Sequence, residues 1–184
     1  MVNNQQLNKI QALLDGQYLT PHAPSITEKD VDCRGNTFTM TRDIICSRKA
    51  DYIVFRIDPN IVDIFPYFND IKGLKKICDF VIFAETDNVF MVLLIEMKKG
   101  QGSPIEQLNM SENFIRFILE HAELVNLKIE KDLIFRKLGL KDTHVSPKRT
   151  TQFYKDFHFD ANRYALEQGG SKLFLEKIIH APVY

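Results

Sequence analysis

The chain has no tryptophan, only three cysteines, and no excess of charge of either sign. Cys33, Cys46 and Cys78 are odd in number and form no C-x-x-C pair, so neither a disulfide framework nor a zinc knuckle is indicated. Twenty-four Lys and Arg balance twenty-four Asp and Glu, which excludes a protein that holds nucleic acid by bulk positive charge alone. No apolar run reaches the ~18 residues needed to cross a bilayer. The opening Met-Val-Asn-Asn-Gln-Gln lacks the basic start and apolar stretch of a signal peptide. The eight glycines form neither a Walker loop nor a dinucleotide fingerprint. No RNA-binding aromatic motif and no internal repeat is present. His22, His121, His144, His158 and His180 are scattered, without the i, i+4 spacing of a helical zinc motif. What is left is the expectation of a reduced, cytoplasmic protein forming one domain over residues 1–184. At 45% hydrophobic residues it can bury a sizeable core.

Charge is uneven along the chain. Residues 49–127 hold eight Lys/Arg against twelve Asp/Glu, and residues 128–184 hold eleven against seven. An acidic centre beside a basic C-terminal third is compatible with a metal site next to a phosphate-binding rim. Leu7, Ile10, Leu13 and Leu14 predict a first helix over 4–15, stopped at Gly16. Residues 17–36 read as an irregular excursion. Thr37–Cys46 and Asp51–Ile57 are rich in β-branched and aromatic residues and read as strands. Ser171 is placed to cap a last helix, Lys172–Ile179.

Lys75 to Gln107 is the most informative segment. Two apolar runs, Ile77–Ala84 and Val89–Met97, flank Asp87-Asn88, both residue types that tolerate the left-handed conformation of a tight hairpin. With Asp87-Asn88 as a two-residue loop, residue i lies opposite residue 175 − i, so Asp79 faces Glu96. Paired residues project from one face with Cβ atoms roughly 4.5–5.5 Å apart, and Lys98 points to that same face. Apolar residues on both faces of both strands mark a central, covered hairpin. Two opposed carboxylates there are costly unless paired or bound to metal. A hard divalent cation would satisfy them, because Mg²⁺ takes one or two carboxylates with water and phosphate oxygens. Lys98 bridging both carboxylates, or solvated strand ends, are the bland alternatives.

After this hairpin, Lys99-Gly100-Gln101-Gly102 reads as a turn, and Ser103-Pro104-Ile105-Glu106 has the form of a capping box. Ile105, Leu108, Ile115, Ile118 and Ala122 make the apolar stripe of the helix that follows. Its N-terminal amides would aim at the carboxylate pair, where a phosphate would be welcome. His144-Val-Ser-Pro-Lys-Arg-Thr150 is basic and hydroxyl-bearing, which suits a phosphate-contacting loop as well as a merely solvated one.

Asp79, in Ile-Cys-Asp-Phe-Val-Ile-Phe, followed by Glu96-Met97-Lys98, in Val-Leu-Leu-Ile-Glu-Met-Lys, resembles the PD-(D/E)xK nuclease superfamily. That superfamily includes restriction endonucleases, recombination nucleases and many phage-defence effectors. Cys78 stands where the superfamily's proline precedes the Asp. The resemblance implies an α/β, restriction-endonuclease-like core: a central mixed sheet flanked by helices on both sides. It implies Asp79 and Glu96 as ligands of Mg²⁺, with Mn²⁺ able to substitute, and the Met97 carbonyl as a third ligand. Lys98 would hold the attacking water, and Gln107 matches a glutamine that many relatives carry early in this helix. Lys99, Lys148 and Arg149 would contact nucleic acid, DNA rather than RNA. Many relatives add an acid near the first helix, and Asp15, Glu28, Asp30, Asp32 and Asp51 are all candidates. The expected activity is that of a metal-dependent endonuclease in restriction, phage defence or repair, for which a two-fold dimer would suit paired cuts. Two other readings stand beside it. One is a nuclease-fold module that binds nucleic acid or protein without useful catalysis. The other is an unrelated α/β protein in which Asp79, Glu96 and Lys98 form a structural salt bridge.

Overall fold

The computed structural model describes residues 5–31, 35–47, 49–57, 76–99, 102–142, 158–168 and 171–184. In chain order the elements are α1 (Gln5–Leu13), a 3₁₀ turn (Gly16–Tyr18), β1 (Leu19–Pro21), β2 (Ser25–Val31), β3 (Thr37–Ile45) and β4 (Asp51–Arg56). Then follow β5 (Phe80–Glu85), β6 (Val89–Lys99), α2 (Ile105–Leu124), β7 (Asp132–Asp142), β8 (Tyr164–Gln168), β9 (Lys172–Phe174) and α3 (Leu175–Ile179).

Six strands form the main sheet in the order β1-β4-β5-β6-β7-β8. The first four in that order pair antiparallel, and β7 and β8 join parallel to β6. The β5–β6 hairpin has the register read from the sequence: Phe80 opposes Ile95 and Glu85 opposes Phe90. Thr86 N–H donates to Val89 O at 2.9 Å and closes the two-residue loop. Hairpin strands can return at once, but a parallel partner needs a crossover, and α2 supplies it between β6 and β7.

Alternation decides what covers each face. Val81, Phe83, Phe90, Val92 and Leu94 point to one side, where Leu7 and Ile10 of α1 and Leu108, Ile115 and Leu119 of α2 bury them. Ile82, Ala84, Met91, Leu93 and Ile95 point to the other. Each fully buried side chain of this size contributes roughly 1.5–3 kcal/mol. Helices are shared unequally between the two sides of the sheet. Both long helices lie on one face. The opposite face is covered by a three-stranded sheet, β2-β3-β9, through Ile26, Met40 and Ile44, together with the five-residue α3. The supposed irregular stretch thus carries β1 and β2, and the expected last helix begins three residues later, after β9. Lys172, Leu173 and Phe174 are strand because they pair in parallel with Asp43, Ile44 and Ile45, partners that no local pattern reveals. Among the described residues no helix is long and apolar enough to cross a membrane.

One buried carboxylate anchors α1. Glu85, fully buried at the hairpin end of β5, accepts from Gln6 N–H (3.1 Å) and Leu7 N–H (3.0 Å) and pairs with Lys131 at 2.9 Å. An anion at a helix N-terminus satisfies amides that have no partner within the helix. This fixes α1 at the end of the sheet opposite to Asp79.

Candidate metal centre at the open end of the hairpin

Asp79 lies immediately before β5, half-buried, and Glu96 lies near the end of β6, only 3% exposed. Extending the pairing of Phe80 with Ile95 by one residue sets them opposite each other, on the face that carries α2. The local frame holds Asp79 from three directions. Its Oδ2 accepts from Met97 N–H at 2.7 Å, and its carbonyl accepts from Ile57 N–H at 3.3 Å. The preceding Cys78 N–H donates to Ser111 Oγ at 2.7 Å, and Ser111 Oγ donates to Gln107 O at 2.8 Å. A proline at position 78 could not make the first of those bonds, so the cysteine here ties the Asp79 loop to α2. Burial pushes the Cys78 thiol up to about 12, which leaves it inert as a nucleophile.

Glu96 is electrostatically uncomfortable. Burial, then the neighbouring Asp79 carboxylate, push its pKa up to about 8 against the pull of Lys98 and Gln107. Its Oε2 is buried with no hydrogen-bond partner among the described residues. Lys98, three-quarters buried, sits 3.7 Å from Glu96 Oε1, donates to Gln107 Oε1, and reaches Ser103 O at 3.4 Å. The structure therefore brings Asp79, Glu96, Lys98 and Gln107 together. Gln107 belongs to the first turn of α2, whose start differs from the expected capping box. Pro104 occupies the N-cap without a side-chain bond, and Ser103 Oγ accepts only a long 3.4 Å bond from Ile105 N–H.

Gly139 explains how α2 comes so close. It pairs with Glu96 across β6 and β7, and a Cβ there would meet Pro104 Cγ at 2.6 Å and Tyr164 Oη at 3.0 Å. Only a residue without a side chain lets the helix start rest on the sheet beside Glu96. Deeper under the helix, Glu112 accepts from Arg116 (2.7 Å) and Arg163 (2.8 Å) and pairs with Lys137 (3.2 Å). Burial alone would raise the Glu112 carboxyl, but these three cations outweigh it and hold it low. Ser111, Gly139 and most of this network escaped the sequence reading, because their partners on other elements lie 25 to 51 residues away.

The donor set fits a hard divalent cation. It offers two opposed carboxylates, one with a buried and unpartnered oxygen. A strand residue carries its N–H and C=O on the same edge, and Met97 turns its N–H towards Asp79. Its carbonyl therefore lies on that side as well, as a third ligand must. Among the described residues no group of three His, Cys, Asp or Glu side chains is placed to hold a metal, so no upstream acid among them joins the pair. Asp15 instead caps the 3₁₀ turn through Gln17 N–H, Glu28 pairs with Arg56, and Asp51 pairs with His22 at the far end of the sheet. The side chains of Asp30 and Lys99, and all of Asp32, Lys148 and Arg149, lie outside the described residues. A scan against protein-family models returns no match, and neither does a search of curated proteins or of solved structures.

Proposed function

We propose that the chain is a metal-dependent nuclease of the PD-(D/E)xK type that hydrolyses phosphodiester bonds in DNA. The observation that carries this reading is the Asp79–Glu96 pair, opposed in register at the open end of a buried hairpin, with Lys98 held beside it by Gln107. The order α1, β4, β5, β6, α2, β7 supports the same reading. It is helix, three antiparallel strands, helix and parallel strand, with β1–β3 inserted after the first helix.

Asp79 and Glu96 would hold the cation, with the Met97 carbonyl completing the protein's share of its ligands. A divalent ion bound there lowers the pKa of an attacking water and neutralises charge on the non-bridging phosphate oxygens. Glu96 must give up its proton to serve, and its raised pKa makes that step depend on pH near neutrality. Lys98 is fixed by Gln107 and Ser103 O, so its ammonium is already in place when phosphate charge develops. The N-terminal amides of α2 add the positive end of a 20-residue helix on the same side. Endonucleolytic cutting by a two-fold dimer is the arrangement proposed for duplex substrates.

The test is an assay over single- and double-stranded DNA and RNA with Mg²⁺, Mn²⁺ or EDTA. The reading expects cleavage of DNA with either metal and none in EDTA. Cleavage that persists in EDTA, or the absence of cleavage of any nucleic acid with either metal, would refute it.

A further inference from the structure

Lys141 lies directly beside Lys98, because β7 runs parallel to β6 and the two lysines share one register position. Neighbouring strands are about 4.8 Å apart. Alternation places Lys141 on the α2 face. Two residues earlier Gly139 sits under Pro104, and four earlier Lys137 donates to Asn109 Oδ1 of α2 at 2.9 Å. Lys141 is the next position on that face, past the start of the helix.

The two lysines differ in how they are held. The Lys98 ammonium has Glu96, Gln107 and Ser103 O around it, which accounts for its three donors. Lys141 is half-buried and makes no hydrogen bond or ion pair among the described residues. Two like charges at paired positions of adjacent strands repel. An anion between or beside them relieves that repulsion, and the helix start nearby favours the same sign of ligand.

We propose that Lys141 is a substrate-binding residue that contacts the phosphodiester adjacent to the one cleaved, leaving Lys98 to act at the reacting phosphate. This rests on the nuclease reading for the word "cleaved". The contact itself requires only a nucleic-acid backbone.

The experiment measures affinity and rate separately for the full chain, Lys141→Ala, Lys141→Arg and, as a control, Lys98→Ala. Affinity for a labelled DNA duplex is followed by fluorescence anisotropy in EDTA over a range of salt, and rate by single-turnover cleavage with saturating enzyme and Mg²⁺. Lys141→Ala is expected to weaken binding about fivefold and to reduce the log–log salt slope by about 0.9, the value for one phosphate contact. Its rate at saturation should stay within about twofold of the unaltered protein, and Lys141→Arg should restore the affinity. Unchanged affinity and slope in Lys141→Ala, or a loss of rate at saturation without loss of affinity, overturns the proposal. If the unaltered protein binds DNA in a Lys141-dependent way but does not cut it, the nuclease reading fails and the phosphate contact stands. If it binds no nucleic acid at all, the Lys141 contact is overturned too.

Discussion

Replacing Glu96 with glutamine removes a charge that the folded protein holds at a cost. The folded state keeps the Glu96 proton up to about pH 8, whereas the unfolded chain releases it near the ordinary value of 4.5. Between those values the folded state binds more protons than the unfolded one, so the contribution of this group to stability falls as pH rises. Below about pH 4.5 both states are protonated and the penalty vanishes. Above about pH 8 both are ionised and the penalty is constant. Each pH unit inside the window is worth about 1.4 kcal/mol. Glu96→Gln should therefore be more stable than the unaltered protein by roughly 3 kcal/mol at pH 7 without metal, and by little at pH 4. Lys98 loses a partner in the variant, but its attraction is already contained in the net upward shift. Urea unfolding followed by circular dichroism in EDTA, repeated from pH 4 to 9, gives the difference directly. Saturating Mn²⁺ should then reverse the order, because only the unaltered site binds the ion and is stabilised by it. A pH-independent difference, or a variant less stable at pH 8, would show that Glu96 is a comfortable partner of Lys98 and not a strained ligand.

Three further outcomes follow from the same geometry. Mn²⁺ affinity measured by calorimetry should rise by up to about tenfold per pH unit between pH 6 and 8 and level off above, with release of up to one proton per ion. Gly139→Ala should cost about 1–3 kcal/mol by denaturant unfolding and lower single-turnover cleavage by up to about 10²-fold, because its Cβ would displace Pro104 and with it Gln107. Glu85→Ala should cost about 3–5 kcal/mol, since it removes the buried partner of the half-buried Lys131 and of the first amides of α1. Hydrogen exchange should show α1 opening first in that variant, while Mn²⁺ affinity is kept.

The site was more legible than the frame that covers it. A two-residue loop fixes hairpin register completely, so Asp87-Asn88 alone set Asp79 against Glu96. Gln107 was reachable because α2 starts within nine residues of Lys98. What lay beyond local pattern was set by distant partners. Ser25–Val31 looks like polar loop, and it becomes strand only by pairing with Thr37–Asp43 and burying Ile26. Lys172–Phe174 carries helix-compatible residues and is drawn into the second sheet by β3. The covering of one face by strands therefore could not be read from periodicity. The position of Lys141 beside Lys98 depends on a parallel register that pairs residues 43 apart in the chain, which is set by how α2 packs. Gly139 gave no sign in the sequence that it was making room for a helix.

The central claim is that Asp79 and Glu96 hold a divalent cation at which Lys98 assists phosphodiester cleavage. It is tested most directly by single-turnover cleavage of a labelled DNA duplex, titrated with Mg²⁺, for the unaltered protein, Asp79→Asn and Lys98→Ala. The account predicts Mg²⁺-dependent cutting by the unaltered protein and no cutting by Asp79→Asn at any Mg²⁺ concentration. For Lys98→Ala it predicts a rate at saturation lower by roughly 10²–10³-fold with the Mg²⁺ midpoint unchanged or lower. Equal rates in all three proteins, or a Lys98→Ala variant that loses only Mg²⁺ affinity and keeps its rate at saturation, would contradict it.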